Sequence, residues 1–313
     1  MTVTATSAPV VTREVSKSFG TVQALRGVSL EVPSHSIFGV LGPNGAGKTT
    51  LFSILTGFIL PGSGSVSVLG TDRLDSVRGR LSILPQDALF QSNIPIIDQL
   101  SFFLTLMGWE RAAAEPEVLR VLELVDLADV VFREAATLSH GMYKRLALAQ
   151  AFLGKPEVII LDEPTAGLDF KSAASVRSAI KRLQQDATVM VSSHDLEEMH
   201  ELCDHVAILD KGELVASGPV DRVTGGAYVV QLSFDRPADA RELERLRSIG
   251  GVTELAENEH GYELLLHGDD APDDRTADRI VSEVLKVSMG LGLCPRQLTR
   301  ENRLKRLYVS VTR

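Results

Sequence analysis

The sequence predicts an α/β protein built on a parallel sheet, with an antiparallel β subdomain ahead of it, a helical insertion within it and a small α/β domain after it. Two observations carry this. Residues 158–161 and 189–191 are apolar throughout, as parallel strands covered on both faces are, and a helical stretch at 171–185 separates them, which makes a βαβ unit. The hydrophobic spacing also changes along the chain, from alternation before residue 70 to helical recurrence around 98–131.

Residues 1–9 are rich in Thr, Ser and Ala and lack the basic start and apolar middle of a secretory signal, so a loose tail is expected there. Val28, Leu30 and Val32 alternate with polar residues, and Val66 and Val68 repeat the pattern, which predicts antiparallel strands. Leu100, Phe103, Leu104 and Met107, then Val118, Leu119, Leu122 and Val125, recur at helix spacing and define an insertion over about residues 87–155. Residues 206–209 and 213–216 flank Asp210-Lys211-Gly212, a hairpin that closes a domain spanning 10–224. Beyond Gly225-Gly226 come a strand at 228–234, a charged helix at 238–249, an alternating strand at 262–266, a polar loop at 268–275 and a helix at 276–289. Residues 225–313 are therefore expected to form a small α/β domain.

With 313 residues and 44% apolar content, the chain can bury one large core and one smaller one. A formal net charge of -9 argues against a protein whose main work is gripping a nucleic-acid backbone. The two cysteines, Cys203 and Cys294, have neither metal-ligand spacing nor the density of a disulfide framework, which fits a reducing compartment. No apolar run approaches the roughly 20 residues a spanning helix needs, so the chain is not expected to cross a bilayer itself.

Gly42-Pro43-Asn44-Gly45-Ala46-Gly47-Lys48-Thr49-Thr50 follows an apolar strand at 37–41 and precedes a helix expected to begin near Thr50, the context that the phosphate-binding pattern GxxxxGK[ST] requires. The parallel sheet is thus the core of a P-loop NTPase. Glycines let backbone N–H groups close on the phosphates, and the helix start adds positive potential. Lys48 is expected to neutralise the terminal phosphate and the Thr49 hydroxyl to ligate Mg²⁺. Residues 158–161 run into Asp162-Glu163, two adjacent acids with two faces: Asp162 is the candidate for holding Mg²⁺, and Glu163 for orienting or deprotonating the attacking water. The strand ending at Ser193 delivers His194 to the same sheet edge, within reach of the terminal phosphate. Taken alone, an acid pair at a strand end can be a cap, and a histidine there is more often structural.

Phe19 in Ser18-Phe19-Gly20, the P-loop, Gln86, Leu138-Ser139-His140-Gly141-Met142, the Asp162-Glu163 strand, Gly167-Leu168-Asp169 and His194 fall in the order and spacing of ABC transporter ATPase subunits. The chain resembles that family from about residue 11 to 218. The resemblance implies a head-to-tail pair of ATPase subunits, with ATP and Mg²⁺ held between one P-loop and the opposite Ser139 and Gly141. It implies that Phe19 stacks on adenine, that Gln86 contacts the metal or the water and senses the membrane partner, and that Asp169 lines the seam. Read from residues alone, Ser139 and Asp169 are equally plain helix N-caps, ahead of 142–152 and of Lys171. One departure stands out: most members have Gly and Gln where this chain has His140 and Met142.

Methionine at that place also occurs in exporter branches, and residues 298–311 resemble the strand-like ending of ATPase subunits of the ABC-2-type exporter branch. The expectation is an ATP-hydrolysing subunit at the cytoplasmic face of the inner (plasma) membrane, paired with a second copy or with a different ATPase subunit, held by a membrane-spanning permease and powering export, with no nucleic-acid partner; an importer subunit and a non-transport ABC-type ATPase or regulatory module are the alternatives. The groove between Gln86 and Leu100, with Phe90, Ile94 and Ile97, is expected to receive a helix of the permease.

Overall fold

The structure, a computed structural model, describes residues 8–85, 88–223, 228–258, 261–266 and 274–302. Two compact units divide the chain between Ser217 and Gly218. Gln86, the Gly225-Gly226 pair, most of the polar loop at 268–275 and residues 303–311 lie outside the described residues.

In the larger unit β1 (Val10–Phe19) and β2 (Val22–Val32) form a hairpin. β3 (Ile37–Leu41) leaves for the central sheet, α1 (Lys48–Leu55) follows it, and β4 (Ser63–Val68) returns to pair with β1. The order β2-β1-β4 is the antiparallel subdomain that the alternating valines predict. Next come β5 (Leu81–Leu84), then α2 (Ile96–Leu106), α3 (Arg111–Leu124) and α4 (His140–Phe152) of the helical insertion. β6 (Val158–Leu161), α5 (Phe170–Leu183), β7 (Thr188–Ser193), α6 (Leu196–Leu202), β8 (His205–Asp210) and β9 (Glu213–Pro219) complete the unit.

The central sheet runs β5-β6-β7-β3-β8-β9, and β5, β6, β7, β3 and β8 are parallel. Every residue of β3, β6 and β7 is buried, which is why 37–41, 158–161 and the middle of β7 at 189–191 show no polar alternation. Pairing of Leu41 with Ser193, and of Leu161 with Val191, brings the carboxyl ends of β3, β6 and β7 to one edge. The P-loop, Asp162-Glu163 and His194 leave the sheet together there. Sequence reading missed β5. As an edge strand with only Leu84 buried, it has neither alternation nor a continuous apolar run.

Close packing behind β3 depends on Gly39. A Cβ at that position would lie 2.7 Å from Met199 Sδ and 2.9 Å from Cys203 Sγ, both on the α6 segment. Cys203 itself is buried, and desolvation pushes its thiol well above the usual range, so it acts as a small apolar side chain.

The smaller unit opens with a short helix, α7 (Val220–Val223), and continues as β10 (Tyr228–Phe234), α8 (Ala240–Arg247), β11 (Val252–Asn258), β12 (Gly261–Leu266), α9 (Asp274–Gly290) and β13 (Pro295–Asn302). After α7 this is a βαββαβ chain with the antiparallel order β11-β12-β10-β13, a split βαβ arrangement. Val230, Leu232 and Leu264 of the sheet pack with Leu246 of α8 and Ile280 and Val284 of α9. β11 escapes detection in the sequence because only Leu255 of its seven residues is buried. The closing strand begins at Pro295 rather than at 298, since Asp235 holds the chain at its start: Asp235 N donates to Cys294 O at 2.9 Å, and Cys294 N donates to Asp235 Oδ1 at 3.0 Å.

A polar clamp ties this unit together. Arg236 makes a two-pronged pair with Glu242 at 2.9 and 2.6 Å, while Glu242 accepts from Asp239 N at 2.8 Å in the capping box of α8. The guanidinium first, and the backbone N–H second, hold the Glu242 carboxyl down at about 2, against an ordinary 4.5.

Two predictions follow from this packing. Gly39→Val is expected to cost about 1–3 kcal/mol through overpacking against α6, read as a lower denaturation midpoint with unchanged slope. The depressed Glu242 means that the clamp's contribution is complete above pH 4.5 and is lost as pH falls through about 2. The melting-temperature gap between wild type and Arg236→Gln should therefore stay level from pH 7 to about pH 5 and shrink below it; a gap that widens on acidification contradicts this assignment.

Candidate functional site

The loop after β3 is shaped by its glycines. Gly47 takes φ 105°, and a Cβ there would lie 2.6 Å from Ala24 O, so both backbone conformation and space demand glycine. Gly47 also stands at the N-cap position of α1, and no side chain caps that helix. The first N–H groups of α1 are thus left to an anion. From behind, the turn after β8 braces the loop: Gly212 N donates to Ala46 O at 3.1 Å and Arg26 N donates to Gly212 O at 2.8 Å.

Lys48 folds back over this loop. Its Nζ donates to Gly42 O at 2.7 Å and to Pro43 O at 3.3 Å, and lies 3.3 Å from Glu163 Oε1. Both side chains are nearly buried, at 6% and 11% exposure, so water screens the pair weakly. Glu163 has φ 50°, a left-handed backbone that non-glycine residues rarely take. Its other oxygen, Oε2, is 2.9 Å from His194 Nδ1. An ionised carboxylate can only accept, so the ring proton sits on Nδ1 and Nε2 is left for another partner.

Asp162 is buried and has a hydroxyl on each oxygen. Thr49 Oγ1 donates to Oδ2 at 2.8 Å and Ser192 Oγ donates to Oδ1 at 2.5 Å. Ser192 Oγ in turn accepts from Glu163 N at 2.9 Å, so one hydroxyl on β7 sets both acids. Sequence reading missed Ser192, because its part depends on the register of β6 against β7 rather than on spacing along the chain. Two hydroxyls and a carboxylate form an oxygen-only donor set suited to a hard divalent cation.

Above these groups lies a cavity of about 680 Å³ lined by the P-loop, Glu163 and His194. It also takes in Thr21, Val22, Gln23, Ala24 and Lys211, which sequence reading did not single out. Lys211 was the detectable one, since it sits in the hairpin turn already identified; the β1–β2 turn gives no such signal. Phe19 ends β1 half-exposed, with Lys17 Nζ 5.5 Å from its ring centroid, and is not among the cavity's lining residues. Ser139, Gly141 and Asp169 do not line it either. Ser139 caps α4 through Met142 N at 3.3 Å, and Asp169 caps α5 through Ser172 N at 3.0 Å. Hydrogen bonds from Ser172 hold the Asp169 carboxyl below the usual range. Gln86 lies outside the described residues.

A glycine cradle on an uncapped helix, a lysine over it and an acid pair on the neighbouring parallel strand define a P-loop nucleoside triphosphatase. Comparisons with known proteins narrow this class. Residues 25–166 match the family model described as "ABC transporter". The chain is 29% identical over 305 residues to the linearmycin resistance ATP-binding protein LnrL of Bacillus subtilis (strain 168), covering 95% of this chain and 96% of that one. It is 34% identical over 256 residues to the energy-coupling factor transporter ATP-binding protein EcfA of Methanothermobacter thermautotrophicus, covering 78% and 82%. Among solved structures it resembles cbiO1 of Clostridium perfringens, described as part of the ABC transporter complex cbiONQ, with TM-score 0.63, 25% identity and coverage of 69% of this chain and 90% of that one. The chain belongs to the family of ABC transporter ATP-binding proteins, and it is an ATPase subunit of such a transporter. No helix among the described residues is long and apolar enough to cross a membrane.

Ser192→Ala is expected to lower kcat by about tenfold or more while leaving ATP affinity within about twofold, since it unsettles both acids without touching the cradle. Single-turnover hydrolysis and equilibrium nucleotide binding, measured side by side, check the split; equal losses in both would place Ser192 in binding instead.

Proposed function

We propose that two copies of this chain clamp two ATP molecules with Mg²⁺ between them, and that closing and reopening of this pair drives export through a membrane-spanning permease. One observation carries the reading. Ser139, Gly141 and Asp169 form a polar corner at two helix starts, yet none of them lines the chain's own nucleotide cavity. The Ser139 hydroxyl takes only the Met142 N–H, so the other N–H groups at this helix start remain an anion grip, and the anion they suit here is the terminal phosphate held by another subunit.

Within each site the cradle N–H groups and Lys48 neutralise phosphate charge. Thr49 and Asp162 hold Mg²⁺, which when bound supplies further charge neutralisation at the outer phosphates. Transfer of the Lys48 bond from Glu163 to phosphate frees Oε1, and Glu163 then orients or deprotonates the water that attacks the terminal phosphorus. His194, its Nδ1 held by Glu163, presents Nε2 to the phosphate. Phe19, exposed at the end of β1, stacks on adenine, and Gln86 reads the metal or the water.

Docking of the permease uses the groove ahead of α2 with Phe90 and Ile94, which keeps the chain at the cytoplasmic face of the membrane; Ile97, in the first turn of α2, is buried and belongs to the core instead. Export is favoured because a relative matched along nearly the whole chain, small C-terminal unit included, is named a linearmycin resistance protein. A neighbouring reading frame with about six spans supports that direction; an adjacent substrate-binding protein supports import.

Glu163→Gln is expected to reduce steady-state hydrolysis by about 100-fold or more while millimolar ATP still converts the protein from monomer to dimer in sedimentation. Turnover at the wild-type rate would remove the role of Glu163. A protein that stays monomeric at saturating ATP, even with its permease, would remove the clamp.

A further inference from the structure

The starts of α4 and α5 touch through one glycine. Ser172, in the first turn of α5, is fixed by Asp169: its N–H donates to Oδ1 at 3.0 Å and its hydroxyl donates to Oδ2 at 2.9 Å. Held this way, the hydroxyl lies against α4. A Cβ built on Gly141 would sit 2.5 Å from Ser172 Oγ and 3.1 Å from Ser172 Cβ. Gly141 is helical and is absent from the positive-φ glycines, so its own backbone does not call for glycine. The neighbour does. The loop ahead of α5 also passes near the start of α4: a Cβ built on Gly167 would lie 3.8 Å from His140 Nε2.

We infer that Ser172 is a positioning residue on which the segment Ser139–Gly141 is seated, so that this segment and the loop Gly167–Asp169 move as one rigid piece. The inference rests on the proposed grip of Ser139–Gly141 on the nucleotide of a second copy. It gives Gly141 a reason to be glycine within its own chain: the serine locked by Asp169 occupies the space of its side chain. Ser172 needs no contact with nucleotide to act. It sets where α4 begins relative to the seam loop, and a grip on phosphate tolerates little displacement.

A suppressor test decides this in the full-length chain, using Gly141→Ala, Ser172→Gly and the double variant. Gly141→Ala is expected to lose about thirtyfold or more in kcat/KM, with binding of a fluorescent ATP analogue to the chain's own P-loop unchanged. Ser172→Gly alone is expected to lose about threefold, since it frees the seat without blocking it. The double variant is expected to return to within about twofold of Ser172→Gly, the non-additivity of directly contacting residues. If the double is as inactive as Gly141→Ala, or if Ser172→Gly alone is indistinguishable from wild type, Ser172 has no such role. Should Gly141→Ala also lose analogue binding, and so be misfolded, Ser172→Gly is the deciding protein. ATP-driven pairing in the Glu163→Gln background separates this inference from the reading beneath it. Pairing untouched by Ser139→Ala and Gly141→Ala overturns the grip itself, whereas pairing lost in Gly141→Ala and not recovered in the double overturns only the seat.

Discussion

The Lys48–Glu163 pair is the interaction on which the rest of the site depends. It joins the loop after β3 to the loop after β6 across 3.3 Å, with both charges nearly out of water. Removing one partner of such a pair leaves a buried charge without compensation, which typically costs about 3–5 kcal/mol. The arrangement is bearable because each end has further partners: two carbonyls for the amine and the His194 ring for the carboxylate. The parallel register supplies the proximity, and the left-handed backbone at Glu163 sets the direction its side chain leaves the strand.

Much of this was legible in the sequence because the chemistry is written in short spacings. The P-loop pattern needs eight consecutive residues, and the acid pair needs an apolar strand directly ahead of it. Buried parallel strands betray themselves by unbroken apolar runs, so β6 and β7 could be read, and with them the edge where Asp162 and His194 emerge. What stayed hidden depends on how strands lie against one another. Ser192 is an ordinary serine until β6 and β7 are aligned, and Thr21 to Ala24 reach the cavity only because the antiparallel subdomain folds over the P-loop side of the sheet. Strands β5 and β11 were invisible for a different reason, since a strand with a single buried residue leaves no hydrophobic period to detect.

The smaller unit shows the same division. Its helices and its inner strands have apolar faces that pack into one core, and these were readable. The start of its last strand was not, because it is set by Asp235 reaching across the sheet to the backbone at Cys294. A side chain to backbone contact between residues 59 positions apart has no local signature.

Helices α4, α5 and α6 close their first turn with a serine or aspartate. Helix α1 does not: a left-handed glycine stands where the cap belongs. An internal cap contributes about 1 kcal/mol regardless of surroundings. An external one contributes in proportion to the logarithm of its concentration, about 2.7 kcal/mol at 100 times the dissociation constant. The heat resistance of this domain is thereby tied to the concentration of the nucleotide around it, in a way that a helix closed by its own serine or aspartate is not.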